Sequence, residues 1–261
     1  MTEPVLPVPA ATILMLRDGP AGLETFMVVR HHQIDFASGA LVFPGGKVDD
    51  GDFEVKEFCE GAEDADHTTI GTMAGAIREA FEECGILLVR QKGSADIISG
   101  KRLLELEPYR DRLHKGDLSL AQFLEEEQLV LACDKLQHFA HWITPSMMPK
   151  RFDTHFYLAR APEDHLAVHD GHESVDSVWI SPDDAISGNA EGTYTVIYPT
   201  LVNIELLGES SSVDNAFEMA ADRSIVTVLP WTEQREDGNY ICIPADAGYR
   251  NSEQMIPGAP K

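Results

Sequence analysis

Apolar positions recur along this chain in two periods, and the places where one period gives way to the other mark out its elements. Ala11 to Arg17 is an apolar, partly alternating run, and Glu24 to Arg30 returns with Phe26, Val28 and Val29 after the turn signal Asp18-Gly19-Pro20. Two such runs about a turn predict a hairpin. From Thr72 to Val89 the spacing becomes helical, with Met73, Ala76, Ile77, Ala80 and Phe81 as the apolar set. Thr72 is the candidate cap and Gly85 the candidate stop. Ile86-Leu87-Leu88-Val89 then reads as a buried strand.

Residues 101 to 129 return to helical spacing in two stripes, the second opened by Ser119. Phe139 to Pro145 and Lys150 to Ala159 read as strands, as does Glu173 to Ile180. Ser181-Pro182-Asp183-Asp184 opens a short helix, and Tyr198 to Gly208 and Ser210 to Ala221 predict two more. Ser224 to Pro230 and Asn239 to Pro244, about Asp237-Gly238, predict a terminal hairpin. Residues 1 to 10, with three prolines, form an extended lead-in, and the last dozen residues are expected to be mobile. Strands interleaved with helices imply an α/β (α+β) fold. There is no internal repeat or low-complexity linker, so one domain over residues 1–261 is expected.

Within this framework Arg78-Glu79-Ala80-Phe81-Glu82-Glu83 stands out. Glu79, Glu82 and Glu83 lie at i, i+3 and i+4, on one helical face. Three carboxylates so close repel one another. Arg78 can neutralise part of the charge, and a hard divalent cation such as Mg²⁺ answers the rest. Upstream, Phe43-Pro44-Gly45-Gly46 is a tight glycine turn that lets backbone approach a phosphate or a packed helix.

Composition narrows the classes. The chain has 44 acidic and 20 basic residues, a net charge of −24. That excludes non-specific attraction to nucleic acid or an anionic membrane. A small anionic substrate stays compatible, because a local cation reverses the field inside a site. Cys59, Cys84, Cys133 and Cys242 are widely spaced and read as reduced thiols of a cytoplasmic protein. Neither a signal-type segment nor an apolar run long enough to span a membrane is visible.

The segment from Gly46 onward resembles the Nudix hydrolase box, G-x5-E-x7-R-E-U-x-E-E-x-G-U, where U is aliphatic. Arg78 to Ile86 matches every defined position if Ala80 counts as U. Asp52 stands where the box has Glu, and residues 53 to 77 replace its seven-residue spacer. The box thus covers residues 45–86 with an insertion at about 53–72, read as a solvated acidic excursion. Trp142-Ile143-Thr144-Pro145 and Arg151-Phe152-Asp153-Thr154-His155-Phe156 are similar to segments of a larger Nudix subgroup that includes a peroxisomal acyl-coenzyme A diphosphatase, whose box is also interrupted. Arg30, Gly39 and Phe43-Pro44-Gly45-Gly46 are similar to a signature of Nudix coenzyme A diphosphatases, but the position of its second arginine falls on Asp35.

The resemblance implies a mixed β-sheet sandwiched between helices, with a helical insertion at about 101–129 and a C-terminal extension at about 190–261. It implies Glu79 and Glu83 as principal metal ligands and Glu82 as a third ligand or water-orienting base. Arg78 would hold the glutamates, and Gly45 and Gly46 would meet the substrate. Arg30, Lys150 and Arg151 are candidate substrate contacts. Lys150 and Arg151 read equally as exposed basic residues of a hairpin. Glu173 and Asp176 compete as candidate general base. His165, His169 and His172 form a weaker histidine group, for which solvated loop residues are the simpler reading.

The expected activity is Mg²⁺-dependent hydrolysis (Mn²⁺ as the alternative ion) of a diphosphate linked to a nucleoside or (acyl-)coenzyme A. The other hypotheses are a Nudix-fold nucleotide-binding or regulatory module and an isomerase on the same scaffold. The expected partner is the small-molecule substrate, with no nucleic acid or membrane. The extra helices either close over the substrate or build a homodimer contact.

Overall fold

A strand buried on both faces needs apolar side chains at successive positions, and the run from Ala10 to Leu16, broken only by Thr12, meets that demand. In the structure, a computed structural model that describes residues 5–30, 39–165, 167 and 174–256, this run is the middle of β1 (Val8–Gly19). Ala11, Ile13 and Met15 enter one hydrophobic core, while Leu14 and Leu16 enter a second on the opposite face. The hairpin partner is β2 (Gly22–Arg30), paired through Leu16 with Thr25 and Gly19 with Gly22.

The short strands β3 (Leu41–Val42) and β4 (Gly45–Lys47) follow; β3 pairs with β2, and β4 pairs with the outer part of β1. A 3₁₀ turn at Asp50–Glu54 and β5 (Cys59–Glu60) lead to α1 (His67–Cys84). Beyond α1 come β6 (Val89–Gln91), α2 (Gly100–His114), α3 (Leu120–Glu126) and β7 (Leu129–Ala132). Strands β5, β7 and β6 form a small separate sheet.

Next are β8 (Leu136–Ile143), β9 (Phe152–Arg160), β10 (Ser174–Ile180), α4 (Pro182–Ala190), α5 (Tyr198–Leu207) and α6 (Val213–Asp222). The chain ends in β11 (Thr227–Val228), β12 (Trp231–Arg235), β13 (Gly238–Cys242) and β14 (Glu253–Met255). The main sheet runs β10-β2-β1-β9-β8-β11 and is mixed, because β1 and β9 are parallel. One face carries α1, α2 and α3 over the first core, and the other carries α4, α5 and α6 over the second. This is the expected mixed sheet between helices, an α+β arrangement.

Several limits move. Helix α1 starts five residues before Thr72, with Asp66 accepting the Thr69 N–H at 2.7 Å as the cap. Thr72 is instead buried, 2.7 Å from the Tyr157 hydroxyl. The insertion is not a free excursion: Val55, Cys59 and Ala62 are buried, and β5 pairs with β7. Acidic residues between them masked that spacing. The terminal hairpin is β12 with β13, while β11 pairs with β8 in the main sheet. Because β12 is exposed throughout, it has no apolar alternation to read. Part of the final dozen residues forms β14 on β13. No helix among the described residues is long and apolar enough to cross a membrane.

Candidate active site

The carboxylate face of α1 is pressed against the chain instead of facing solvent. Ile77, Ala80, Phe81 and Cys84 anchor the helix in the first core. Residues between those anchors are carried down with them, so Arg78, Glu82 and Glu83 are only 5–6% exposed. Gly85, at φ 68°, ends the helix in the left-handed conformation, and its N–H donates to the Phe81 carbonyl.

Arg78 organises this face. Its Nε donates to Asp52 Oδ1 at 3.0 Å and its Nη2 to Asp52 Oδ2 at 2.9 Å, a bidentate fork. Nη2 also reaches the Lys47 carbonyl at 2.8 Å. Nη1 donates to Glu79 Oε1 at 3.0 Å and to Glu82 Oε1 at 3.2 Å. Asp52, which sequence reasoning left without a role, is thus the carboxylate that seats the arginine, and it is 1% exposed.

The two glycines meet the same face, as the first residues of strand β4 and not as the expected tight turn. The Gly45 N–H donates to Glu83 Oε2 at 2.9 Å. Gly45 has φ 154°, and a Cβ on Gly46 would fall 2.5 Å from Glu79 Oε1. Pairing of Gly45 with Thr12 and of Gly46 with Ala11 holds β4 there. Helix α2 closes one side: Arg110 Nε donates to the Glu82 carbonyl at 2.8 Å, and His114 Nδ1 lies 3.6 Å from Glu82 Oε2. Neither residue was singled out from sequence, where α2 shows only its apolar stripe.

Burial sets the electrostatics. It pushes the Glu79 carboxyl up to about 8, with Arg78 pulling it down and Glu82 and Asp52 pushing it further. Glu82 and Asp52 are raised too, mainly by burial, against the pull of Arg78. Burial works against the Arg78 charge, yet Glu79, Asp52 and Glu82 outweigh it and hold its pKa above the usual range. Three carboxylates, Asp52, Glu79 and Glu82, thus share one guanidinium, with Glu83 beside them, and a further cation would find hard oxygen donors here.

In the structure Arg78 draws Glu79 and Glu82, while Glu83 turns to Gly45. The three glutamates do not converge within 4.8 Å; among the described residues, the potential metal-ligating group that does is His141, Asp153 and His155. Its members lie on β8 and β9 and were not singled out from sequence. His141 Nε2 is 2.5 Å from Asp153 Oδ1, and His155 Nδ1 is 3.1 Å from His138 Nε2.

The remaining candidates scatter. Arg30 ends β2, opposite Ser174. Lys150 is exposed, its Nζ 5.8 Å from the Phe152 ring centroid. Arg151 is buried and donates to the Thr144 carbonyl at 2.9 Å and the Val5 carbonyl at 2.7 Å, tying down the lead-in to β1. Asp176 is exposed and accepts the Ser177 N–H at 2.8 Å. His165 is buried, with Nε2 2.9 Å from the Ile98 carbonyl. Asp35, His169, His172 and Glu173 lie outside the described residues.

Residues 64–206 match the sequence model of the NUDT19 Nudix domain. The chain is 27% identical over 282 residues to the acyl-coenzyme A diphosphatase NUDT19 of Gallus gallus, covering 88% of this chain and 74% of that one. The Xenopus laevis protein of the same name is 22% identical over 271 residues, covering 87% and 71%. A crystal structure of a NUDIX hydrolase from Alicyclobacillus acidocaldarius superposes with a TM-score of 0.66 at 26% identity, covering 82% of this chain and 96% of that one.

Proposed function

The chain belongs to the Nudix family represented by the NUDT19 Nudix domain and is a Nudix-type diphosphate hydrolase; from that premise we propose that it cleaves the diphosphate of coenzyme A or an acyl-coenzyme A with a divalent ion, Mg²⁺ first, held by Glu79, Glu82 and Glu83. The observation that carries this reading is the buried network of Asp52, Arg78, Glu79 and Glu82, with Glu83 against the Gly45 amide. The donor set fits the ion: hard carboxylate oxygens, more of them than Arg78 neutralises, one helical turn across.

A divalent ion there would neutralise the diphosphate oxygens, stabilise the leaving phosphate and acidify a water. The chain does the rest. Gly46 leaves room for the Glu79 carboxyl, and Gly45 lets β4 lie close against Ala11 and Thr12 of β1. Arg78 holds Glu79 and Glu82 in position from below. Glu82 serves as third ligand or orients the attacking water, and Glu173, which precedes β10 in the chain, is the candidate base. Water oxygen bonds to one phosphorus, the bridging P–O bond breaks, and two phosphate esters leave: adenosine bisphosphate and (acyl)phosphopantetheine for this substrate. Substrate class rests on the named relatives and on Arg30, Gly39 and the glycine turn.

The test is hydrolysis of coenzyme A, acyl-coenzyme A, nucleotide sugars and dinucleotides, with and without Mg²⁺ or Mn²⁺. Coenzyme A thioesters are expected to be preferred, chelator to abolish turnover, and Glu83→Gln to lower kcat by about 10²-fold or more, as loss of a principal transition-state electrostatic contact does. Full activity in chelator or in Glu83→Gln would overturn the metal assignment. Binding without turnover would favour the regulatory module.

A further inference from the structure

Strand β8 carries a bulge between His138 and Ala140, and it changes which side chains share a face. Residues 138 and 141 are three apart and in a regular strand would point to opposite sides. With the bulge, Phe139 and Ala140 both enter the second core, while His138 opposes Tyr157 and His141 opposes His155. Tyr157 belongs to the first core, so both imidazoles lie on the α1 face. Asp153 is two residues before His155 on β9 and shares that face.

The result is a dense polar group on otherwise apolar sheet. The rings of His141 and His155 stack at 4.0 Å, and those of His138 and His155 at 5.1 Å. One ligand atom from each of His141, Asp153 and His155 falls within 4.8 Å of the others. Each imidazole that would ligate also has a partner on a ring nitrogen. Thr227 Oγ1, on β11, is 2.8 Å from His141 Nδ1, and His138 Nε2 is 3.1 Å from His155 Nδ1. Such contacts select the tautomer and leave the other nitrogen, Nε2, to bind.

We propose that His141, Asp153 and His155 form a second metal site, distinct from the carboxylate face of α1, that takes a borderline divalent transition metal of the Zn²⁺ type. Two imidazoles and one carboxylate suit Zn²⁺ and disfavour Mg²⁺, which chooses oxygen donors. Solvent supplies the fourth position. A bound ion would take the place of the His141–Asp153 hydrogen bond, with His141, Asp153 and His155 holding it. Register sets the separation: Gly46 pairs with Ala11, and Ala11 pairs with His155. Two strand spacings, about 10 Å, therefore divide the backbone under Glu79 from the backbone of the new site. The ion would clamp β8 to β9, with β11 joined through Thr227, and so act on stability.

The experiment uses the full, untagged chain carrying Glu79→Gln and Glu83→Gln, which disables the carboxylate face. After chelation and dialysis it is loaded with Zn²⁺, washed and analysed for metal. One retained Zn²⁺ per chain is expected, with a rise in Tm. Adding His141→Ala or His155→Ala should abolish both the retained metal and the Tm rise. Co²⁺ loading of the chain with its histidines intact gives a check that needs no histidine variant. Visible d–d bands without an intense near-ultraviolet thiolate charge-transfer band are expected. No retained Zn²⁺, unchanged retention in the histidine variants, or a thiolate band on Co²⁺ would each overturn the site. Loss of hydrolysis in the Glu79→Gln/Glu83→Gln background bears only on the α1 face, so the two readings fail separately.

Discussion

Arg78 is the residue on which the α1 face turns. A guanidinium can serve Asp52, Glu79, Glu82 and a backbone carbonyl at once because its five N–H groups point in fixed directions; a lysine offers a point charge and no fork. Removing one partner of such a buried pair leaves charge uncompensated. Asp52→Ala is therefore expected to destabilise by about 3 kcal/mol, the lower end for breaking a buried ion pair, because Glu79 and Glu82 still engage the arginine. Urea unfolding checks this, and kcat should fall with it as the glutamates lose their register. Stability equal to wild type would show that Asp52 is not the arginine's seat. The presence of an arginine and an acidic partner was legible in the residue spacing. Which acid it is was hidden, because residues 53 to 77 separate Asp52 from Arg78 along the chain and the two meet only through the packing of the insertion, with Val55 and Cys59 buried.

At the scale of elements, α1 and the small sheet beside it hold the site. Asp66 caps α1 through the Thr69 N–H, so Asp66→Ala should cost about 1 kcal/mol while Asp66→Asn stays near wild type. For a chain this long that corresponds to a Tm drop of about 2–4 °C by calorimetry. The β5-β7-β6 sheet is closed by Arg90, whose two Nη atoms meet Asp134 at 2.6 and 2.8 Å. Hydrogen bonds from Arg90 hold the Asp134 carboxyl below its ordinary 3.8. A carboxyl depressed in the fold adds stability above its unfolded pKa and loses it as pH falls through the folded one. The Tm gap between wild type and Asp134→Asn should be present at pH 7 and close as pH falls below about 4. A gap independent of pH would mean that the substitution acts through packing. Helical spacing announced α1, but its first turn was missed because Thr72 looked like a cap and is in fact bonded inside the core to Tyr157.

Across the whole molecule the net charge of −24 opposes an anionic substrate. Salt screens that repulsion. With the divalent ion saturating, kcat/KM for a coenzyme A ester should rise as monovalent salt goes from about 10 to 150 mM, the range over which the screening length shortens to about 8 Å. A steep fall instead would point to a basic funnel that overrides the global field. Arg151 is no part of such a funnel in the structure, since its guanidinium fastens the lead-in to β1.

Sequence alone determined what depends on neighbours along the chain. The helix carrying Arg78, Glu79, Glu82 and Glu83 and the hairpin of β1 and β2 follow from residue type and period, which local backbone geometry enforces. Tertiary structure alone decided what depends on distant segments meeting: Asp52 under Arg78, Glu83 on the Gly45 amide, His114 and Arg110 beside Glu82, and the histidines of β8 and β9 on one face. The last case shows the physical reason most plainly. One extra residue in a strand reverses the facing of everything beyond it, and that residue is identifiable only from the partner strand it pairs against.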